Sequence, residues 1–191
     1  MAQTRKTSDL IPAAEYLASE NEGTRRHEYV NGMVYAMAGG TERHNVIKLN
    51  VAGLLNTTVP ETCRVFDGDM KLHITHAPDE QYYYPDVYVS CGPADDLQYG
   101  RDDAVLVLEV LSRTTERADR YEKFIAYKNV PSLIDYVLIE QYFPRVEVFR
   151  RSTGWLREVF HHGEDVYLDS IKQTLTFDQI YRRVNFTEQT L

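Results

Sequence analysis

The chain has 191 residues, of which 43% are hydrophobic and 12% aromatic. This size predicts a single domain spanning residues 1–191, and the composition excludes a disordered chain. Lysines and arginines number 21 against 29 acidic residues, a formal net charge of −8. That balance argues against a protein that coats nucleic acid non-specifically, because such affinity comes from basic residues that neutralise phosphates. It is compatible with a site where carboxylates hold a divalent cation.

The two cysteines, Cys63 and Cys91, form no CxxC pattern and no framework of spacings. A disulfide is an open alternative, but we predict two buried reduced thiols. The first 17 residues lack the apolar stretch of a signal peptide. The longest apolar run, residues 104–111, contains a glutamate and is too short to span a membrane. We therefore predict a cytoplasmic protein.

The N-terminal part of the chain predicts a helix, a hairpin and a second helix. Ser8 or Asp9 can cap the first helix, which carries Pro12 in its first turn and ends near residue 19. Strands over 26–30 and 33–37 flank Asn31–Gly32, a dipeptide preferred in type I′ turns. Thr41 is expected to cap a helix to about residue 57. Its predicted apolar side consists of Val46, Leu49, Gly53 and Leu54.

The remainder predicts mostly strands. Extended segments are expected near 63–66, 70–75 and 83–91, and the nearly all-apolar run 103–111 indicates a strand covered on both faces. A helix from Thr114 or Thr115 to about Asn129 follows, closed by Val130–Pro131. Strands over 134–139 and 145–150, a short β-rich tail and a helical turn near 177–182 complete the order. This order predicts the α/β (α+β) class, with helices flanking a mixed, curved sheet.

Glu109 is the most informative acidic position. It lies within the apolar run 103–111, where strand alternation places it on the face of Val107 and Leu111. A carboxylate in such a strand requires a cation, a lysine or a proton as partner, since an unpaired buried charge costs several kcal/mol. A structural salt bridge or an exposed strand end is the competing interpretation.

Asp86 supplies a second acid on another strand. It follows Pro85, and proline belongs at the beginning or edge of a strand, where its missing donor does no harm. If the two strands are neighbours, Asp86 and Glu109 converge. Mg²⁺ favours such a site, with one or two carboxylates and the remaining positions filled by water and phosphate oxygens. A structural salt bridge could use the same residues.

Lys123 is the candidate cation. On the predicted helix it shares one side with Glu116, Arg120 and Tyr127. One interpretation of this pattern is a solvated, salt-bridged face. The other is that Lys123 reaches over the end of the sheet, where it would stabilise developing negative charge or orient a water molecule.

Six segments, in order, carry a family resemblance: HEYVNGMVYAMAGG, ERHNVI, DMKL, YYYPDVYVSC, LVLEVLSRTTERADRYEKFIAYK and LIDYVLIEQ. Together they resemble the Uma-type restriction endonucleases of the PD-(D/E)XK nuclease superfamily, over roughly residues 9–180. The resemblance implies a restriction-endonuclease-like core and Mg²⁺- or Mn²⁺-dependent hydrolysis of nucleic-acid phosphodiesters, with DNA as the expected substrate. It also implies a homodimer.

The resemblance assigns residues one by one. Asp86 and Glu109 match the metal-binding acids, and Glu28 matches an N-terminal acid that completes the metal site. The superfamily's lysine position, two residues after the glutamate, holds Leu111 here, as in the family's own EVLS form. The resemblance therefore implies that Lys123 takes over the lysine's role. His44 and Asp69 are candidate auxiliary residues.

Two further function classes stay open. The domain could keep the nuclease fold and act only as a binding or assembly module, which the acidic charge favours. It could also hydrolyse small phosphate esters. A zinc site has no support, because the HxxH formed by His73 and His76 lies on an extended segment.

Overall fold

The computed structural model describes residues 10–37, 39–76, 79–93 and 99–186. The helices are α1 (Ala13–Glu22), α2 (Glu42–Thr58), α3 (Phe124–Tyr127) and α4 (Phe177–Ile180), and a π-helical segment, Ala118–Lys123, leads into α3. The strands are β1 (His27–Val30), β2 (Met33–Ala36), β3 (Arg64–Asp67), β4 (Lys71–His76), β5 (Asp79–Tyr83), β6 (Val87–Ser90), β7 (Gly100–Arg101), β8 (Ala104–Leu111), β9 (Asp135–Glu140), β10 (Arg145–Arg150), β11 (Arg157–His161), β12 (Val166–Leu168) and β13 (Gln173–Leu175).

The strands form three sheets. The largest has the order β11-β10-β9-β8-β6-β3, a five-stranded sheet has the order β2-β1-β5-β4-β7, and β12 pairs with β13. Parallel pairing of β8 with β9 beside antiparallel neighbours makes the largest sheet mixed. The predicted α+β class is thus confirmed, but the strands do not form one sheet. The predicted strand 83–91 is divided at Tyr84–Asp86, where Pro85 lacks a donor, between β5 in one sheet and β6 in the other.

Strand β8 is covered on both faces, as predicted. Leu106, Leu108 and Val110 pack into one apolar cluster, which also contains the buried residues of α2. Val107 and Leu111 pack into the other cluster, together with aromatic residues of α3 and β9. Glu109 therefore shares the second face, where the alternation of the strand placed it.

Helix α2 has the predicted cap but buries a different face. The Thr41 hydroxyl accepts a hydrogen bond from the amide of His44 at 3.2 Å. The buried residues are Ile47, Val51 and Leu55, the row that faces the sheet, whereas Leu49 is 61% exposed. The predicted apolar side was wrong because apolar residues occupy neighbouring rows of this helix, and only contact with the sheet selects one of them.

The first helix and hairpin are close to expectation. Helix α1 runs to Glu22, one turn beyond the predicted end, and the predicted caps Ser8 and Asp9 lie outside the described residues. Asn31 and Gly32 have φ values of 48° and 91°, the positive values that a type I′ turn requires. The turn fixes the register of β1 on β2, in which Glu28 lies opposite Tyr35.

Cys63 and Cys91 form a disulfide, so the prediction of reduced thiols was wrong. The two residues flank β3 and β6, whose register pairs Arg64 with Ser90 and so brings the cysteines opposite each other. Sequence spacing contains no information on this register. Because disulfides are rare in reducing compartments, the bond gives no support to the predicted cytoplasmic location. Among the described residues, no helix is long and apolar enough to cross a membrane.

Candidate active site

A cleft of about 640 Å³ lies where the β1–β2 hairpin, the start of α2, the end of β8 and the π-helical segment meet. The sequence-predicted residues Glu28, His44, Asp86, Glu109 and Lys123 all line it. Asp119, which the sequence analysis did not single out, lines it as well. A concave site with several ionisable groups is the usual setting for ligand binding and catalysis.

Glu109 lies at the floor of this cleft and is only 3% exposed. Its Oε1 accepts a hydrogen bond from the Tyr127 hydroxyl at 2.8 Å and one from Nζ of Lys123 at 3.2 Å. Its Oε2 accepts a hydrogen bond from the backbone amide of Asp86 at 3.1 Å. Both oxygens of this buried carboxylate therefore accept hydrogen bonds, which offset the loss of hydration on burial.

Asp86 lies in the connection between β5 and β6, directly after Pro85. Its Oδ2 accepts a hydrogen bond from the amide of Val110 at 2.8 Å and lies 3.0 Å from Nε2 of His44. The antiparallel register of β6 on β8, with Val87 opposite Leu108, places Asp86 beside Glu109. The strands thus bring together the two acids that the sequence analysis paired.

Lys123 lies among three carboxylates. Its Nζ is 2.9 Å from Oε1 of Glu28, 3.2 Å from Oε1 of Glu109 and 3.3 Å from Oδ1 of Asp119. The Lys123 side chain is 9% exposed, and the Glu28 side chain is 19% exposed. The interpretation of this face as solvated is therefore wrong for Lys123, because the ammonium group is buried in the site.

The π-helical segment explains how the helix reaches Glu109. A π-turn contains more residues than an α-turn, and such turns occur often at functional sites. Asp119 and Lys123 contact each other within the segment, and Lys123 and Tyr127 share Oε1 of Glu109. Tyr121 and Ile125 face outward and are 63% and 65% exposed. The segment therefore presents its polar face to the cleft.

The site carries more negative than positive charge. The pKa of Glu109 is raised to about 8: burial is the largest cause, Lys123 opposes the shift, and the neighbouring Asp119 and Asp86 add to it. Burial likewise raises the pKa of Asp119. For Lys123, burial lowers the pKa, but the carboxylates outweigh it and the pKa lies well above its ordinary value. One ammonium group cannot neutralise four ionised carboxyl groups, so this arrangement favours either protonation of Glu109 and Asp119 or a further cation.

The remaining predicted residue, Asp69, does not line the cleft. Its side chain is 81% exposed and lies 3.4 Å from Nε of Arg26. The residues that sequence reasoning missed are Asp119 and the hydroxyl of Tyr127. Both are four residues from Lys123, so the helical spacing contained a signal for them.

The donor set is chemically suited to a hard divalent cation. Its members are carboxylate oxygens, the ligands that Mg²⁺ prefers. Oδ1 of Asp119 is buried near Nζ of Lys123 but makes no hydrogen bond of acceptable geometry, so it has room for a further partner. Within the described ranges, no group of three or more His, Cys, Asp or Glu side chains is arranged to hold a metal ion. The fit therefore concerns the pair Asp86 and Glu109, because two protein carboxylates suffice for Mg²⁺ when water and phosphate supply the other oxygens.

Comparison with known proteins identifies the family. The model of the Uma2 family, described as "Putative restriction endonuclease", matches residues 13–178. The uncharacterized protein slr1290 of Synechocystis sp. is 33% identical over 177 residues, which cover 90% of this chain and 92% of that protein. A second protein of the same organism, sll1609, is 34% identical over 149 residues, which cover 76% of this chain and 83% of its own.

The fold also occurs in a solved structure. The crystal structure of "a putative nuclease belonging to DUF820" from Anabaena variabilis superposes with a TM-score of 0.71, covering 90% of this chain and 97% of that one. The two sequences are 19% identical, so this likeness establishes the fold alone. The family match extends over most of the chain and includes every described residue that lines the cleft. The chain therefore belongs to the Uma2 family of restriction-endonuclease-like proteins.

Proposed function

We propose that this protein is a metal-dependent endonuclease that hydrolyses phosphodiester bonds of nucleic acid, with DNA as the substrate. One observation carries the proposal: Asp86 and Glu109 lie side by side in a cleft, with the ammonium group of Lys123 3.2 Å from Glu109. Membership of a restriction-endonuclease-like family supports the same reaction class.

In this proposal Asp86 and Glu109 hold Mg²⁺ or Mn²⁺. The cation, when bound, supplies Lewis-acid stabilisation of the phosphoryl group and makes a water molecule more acidic. The protein's own part is to fix the two carboxylates through the backbone amides of Asp86 and Val110. Tyr127 holds the other oxygen of Glu109, Oε1, through its hydroxyl.

Lys123 would stabilise negative charge on the phosphate as the bond breaks. Glu28 and Asp119 orient its ammonium group, since both lie within 3.3 Å of Nζ. Glu28 is also the more exposed of the two, so it is the acid that can join the metal site once substrate enters. His44 holds Asp86 from the side of α2 and completes the set as an auxiliary residue.

A cleavage assay tests this proposal. Purified protein is incubated with single-stranded and double-stranded DNA and with RNA, in Mg²⁺, in Mn²⁺ and in EDTA. We expect metal-dependent cleavage that Asp86→Ala and Glu109→Gln abolish while the variants keep the circular dichroism of the wild type. The exposed carboxylate of Glu61 offers a matched control, and Glu61→Gln should cleave like the wild type. Failure to cleave any of these substrates under either metal contradicts the proposal.

A second candidate function is a binding or assembly module that has kept the fold. The contacts of Lys123 with three carboxylates favour it, because the same network would serve as a structural salt bridge. Loss of stability, with no effect on any metal-dependent property, is then the expected result of substituting Lys123. Cleavage of a chromogenic phosphodiester, with DNA left intact, would instead identify a small-ester hydrolase.

We also propose that the chain acts as one domain and assembles as a homodimer, the commonest symmetric assembly. Size-exclusion chromatography with light scattering measures the assembly directly. A monomer at micromolar concentration would contradict it.

A further inference from the structure

We propose that the cleft takes single-stranded nucleic acid rather than an intact duplex. This inference rests on the proposed phosphodiester hydrolysis at the same site and names its substrate more narrowly. It comes from three features of the cleft that the hydrolytic residues do not explain: an exposed tyrosine beside Glu28, a cation–π pair of an arginine and a tyrosine, and the charge of the lining.

The first feature is Tyr35, which lines the cleft although 47% of it is exposed. It lies on the edge strand β2, directly opposite Glu28 in the register. Directly opposed residues of an antiparallel pair share one face, so the ring stands next to the acid that contacts Lys123. Met37, also in the lining and 39% exposed, extends this apolar surface. Exposed apolar surface beside a polar site indicates binding.

The second feature is a pair formed by Arg113 and Tyr142. Arg113 comes from the turn after β8 and Tyr142 from the loop after β9, and both line the cleft. The guanidinium carbon of Arg113 lies 5.1 Å from the centre of the Tyr142 ring. Guanidinium planes and aromatic rings are the surfaces on which proteins stack unpaired bases. In a duplex these base faces are already stacked on one another and are not available.

The third feature is charge. Among the described residues, the lining contains five carboxylates, those of Glu28, Asp86, Glu109, Asp119 and Glu122, against the basic side chains of Arg113 and Lys123. Duplex DNA carries about one negative charge per 1.7 Å of helix axis and gains its affinity from basic residues. A single strand brings fewer phosphates to the site and gains affinity from base stacking instead. The net charge of −8 for the whole chain favours the second mode of binding.

The test measures binding separately from cleavage. Full-length Glu109→Gln protein, used to prevent cleavage, is titrated in Mg²⁺ against a fluorescein-labelled 20-nucleotide oligo(dT) and against a labelled 20-base-pair duplex, with anisotropy as the readout. We expect the single strand to bind at least tenfold more tightly than the duplex. Adding Tyr35→Leu or Tyr142→Leu should weaken single-strand binding about tenfold, since stacking on one aromatic ring contributes roughly 1–3 kcal/mol.

A matched control is available in Tyr121, which is 63% exposed and lies outside the cleft lining. Tyr121→Leu should leave single-strand binding unchanged. The inference is overturned if the duplex binds as tightly as the single strand, if neither binds, or if Tyr35→Leu and Tyr142→Leu bind like the control. Cleavage of the duplex in preference to the single strand by the wild type would overturn it while leaving the proposed function intact. Tyrosine-dependent binding of the single strand, with no cleavage of any nucleic acid by the wild type, would overturn only the proposed function.

Discussion

The backbone amide of Asp86 donates a hydrogen bond to Oε2 of Glu109, and Oδ2 of Asp86 accepts one from the residue after Glu109. Each acid is thus held by the backbone of the strand segment that carries the other. This reciprocal pairing needs β6 and β8 to be neighbours in the observed register. Although Asp86 lies in the connection between β5 and β6, these two hydrogen bonds hold both carboxylates at one place, which suits a preorganised site.

The carboxylate pair should be non-additive in catalysis. Asp86→Ala and Glu109→Gln are each expected to lower kcat/KM for DNA cleavage by about 10²–10⁴-fold, and the double variant should lose little more than either single one, because residues that act as a unit are not additive. Steady-state cleavage rates of the four proteins measure this directly. Independent effects that multiply in the double variant would show that the two acids do not share one cation.

Lys123 should stabilise the fold as well as the proposed reaction. Lys123→Met leaves Glu28, Glu109 and Asp119 without their common cation, at an expected cost of about 3–5 kcal/mol in the free energy of unfolding. At pH 9, above the pKa of Glu109, adding Glu109→Gln removes one of these charges and should recover part of the loss. Urea unfolding of both single variants and the double variant gives the coupling energy. If the loss of unfolding free energy in the double variant equals the sum of the losses in the two single variants, the buried ion-pair network is contradicted.

Tyr127 offers a test of the hydrogen bond to Glu109. Tyr127→Phe removes the hydroxyl that donates to Oε1 of this buried carboxyl group and should cost about 1–3 kcal/mol of stability. Tyr121→Phe removes a hydroxyl from an exposed ring of the π-helical segment and should leave the free energy of unfolding almost unchanged. Equal midpoints for the two variants in urea unfolding would show that the hydrogen bond does not form.

Stability should depend on pH through Glu109. Its pKa rises from 4.5 to about 8 on folding, so the folded state holds the proton more tightly than the unfolded state. The stability contributed by this group is therefore fully present below its unfolded pKa and is lost as pH rises towards 8. In Glu109→Gln the amide does not titrate. As the pH rises from 5 to 8, the wild type should therefore lose unfolding free energy relative to Glu109→Gln. A constant difference would contradict the raised pKa.

Sequence reasoning was most successful where local chemistry decides the structure. Asn31–Gly32 has positive φ values that few other dipeptides adopt, and the Thr41 hydroxyl satisfies the start of α2 whatever lies around it. Glu109 was recognisable because a carboxylate in an apolar strand always needs a partner. The pairing of Asp86 with Glu109 also requires that β6 and β8 be neighbours. The sequence is compatible with that strand order but does not determine it.

Features that depend on tertiary contacts were not predictable in the same way. The face that α2 buries is chosen by the sheet, and the π-helical turn that brings Asp119 and Lys123 to Glu109 has no local sequence signature. The Cys63–Cys91 bond depends on the register of β3 on β6, two strands well separated in the chain. In each case the deciding interaction lies between segments distant in sequence.

The disulfide makes a separate prediction about stability. It links residues 28 positions apart, and the loss of chain entropy in the unfolded state corresponds to about 3–4 kcal/mol. A Cys63→Ala/Cys91→Ala double variant should therefore unfold at a clearly lower urea concentration than the oxidised wild type. With reductant added, the wild type should unfold at about the same urea concentration as the double variant. A wild type whose midpoint does not respond to reductant, and whose thiols react with a thiol reagent under native conditions, would contradict the bond.

Calorimetric titration with Mg²⁺ tests for a cation site between Asp86 and Glu109 without needing substrate or turnover. We expect the wild type to bind Mg²⁺ in the millimolar range or more tightly. Asp86→Asn and Glu109→Gln should each weaken binding at least tenfold, and Glu61→Gln should bind like the wild type. Two results would contradict a cation site between Asp86 and Glu109. One is the absence of binding heat in the wild type at millimolar Mg²⁺, and the other is the same binding heat and affinity in the wild type and all three variants.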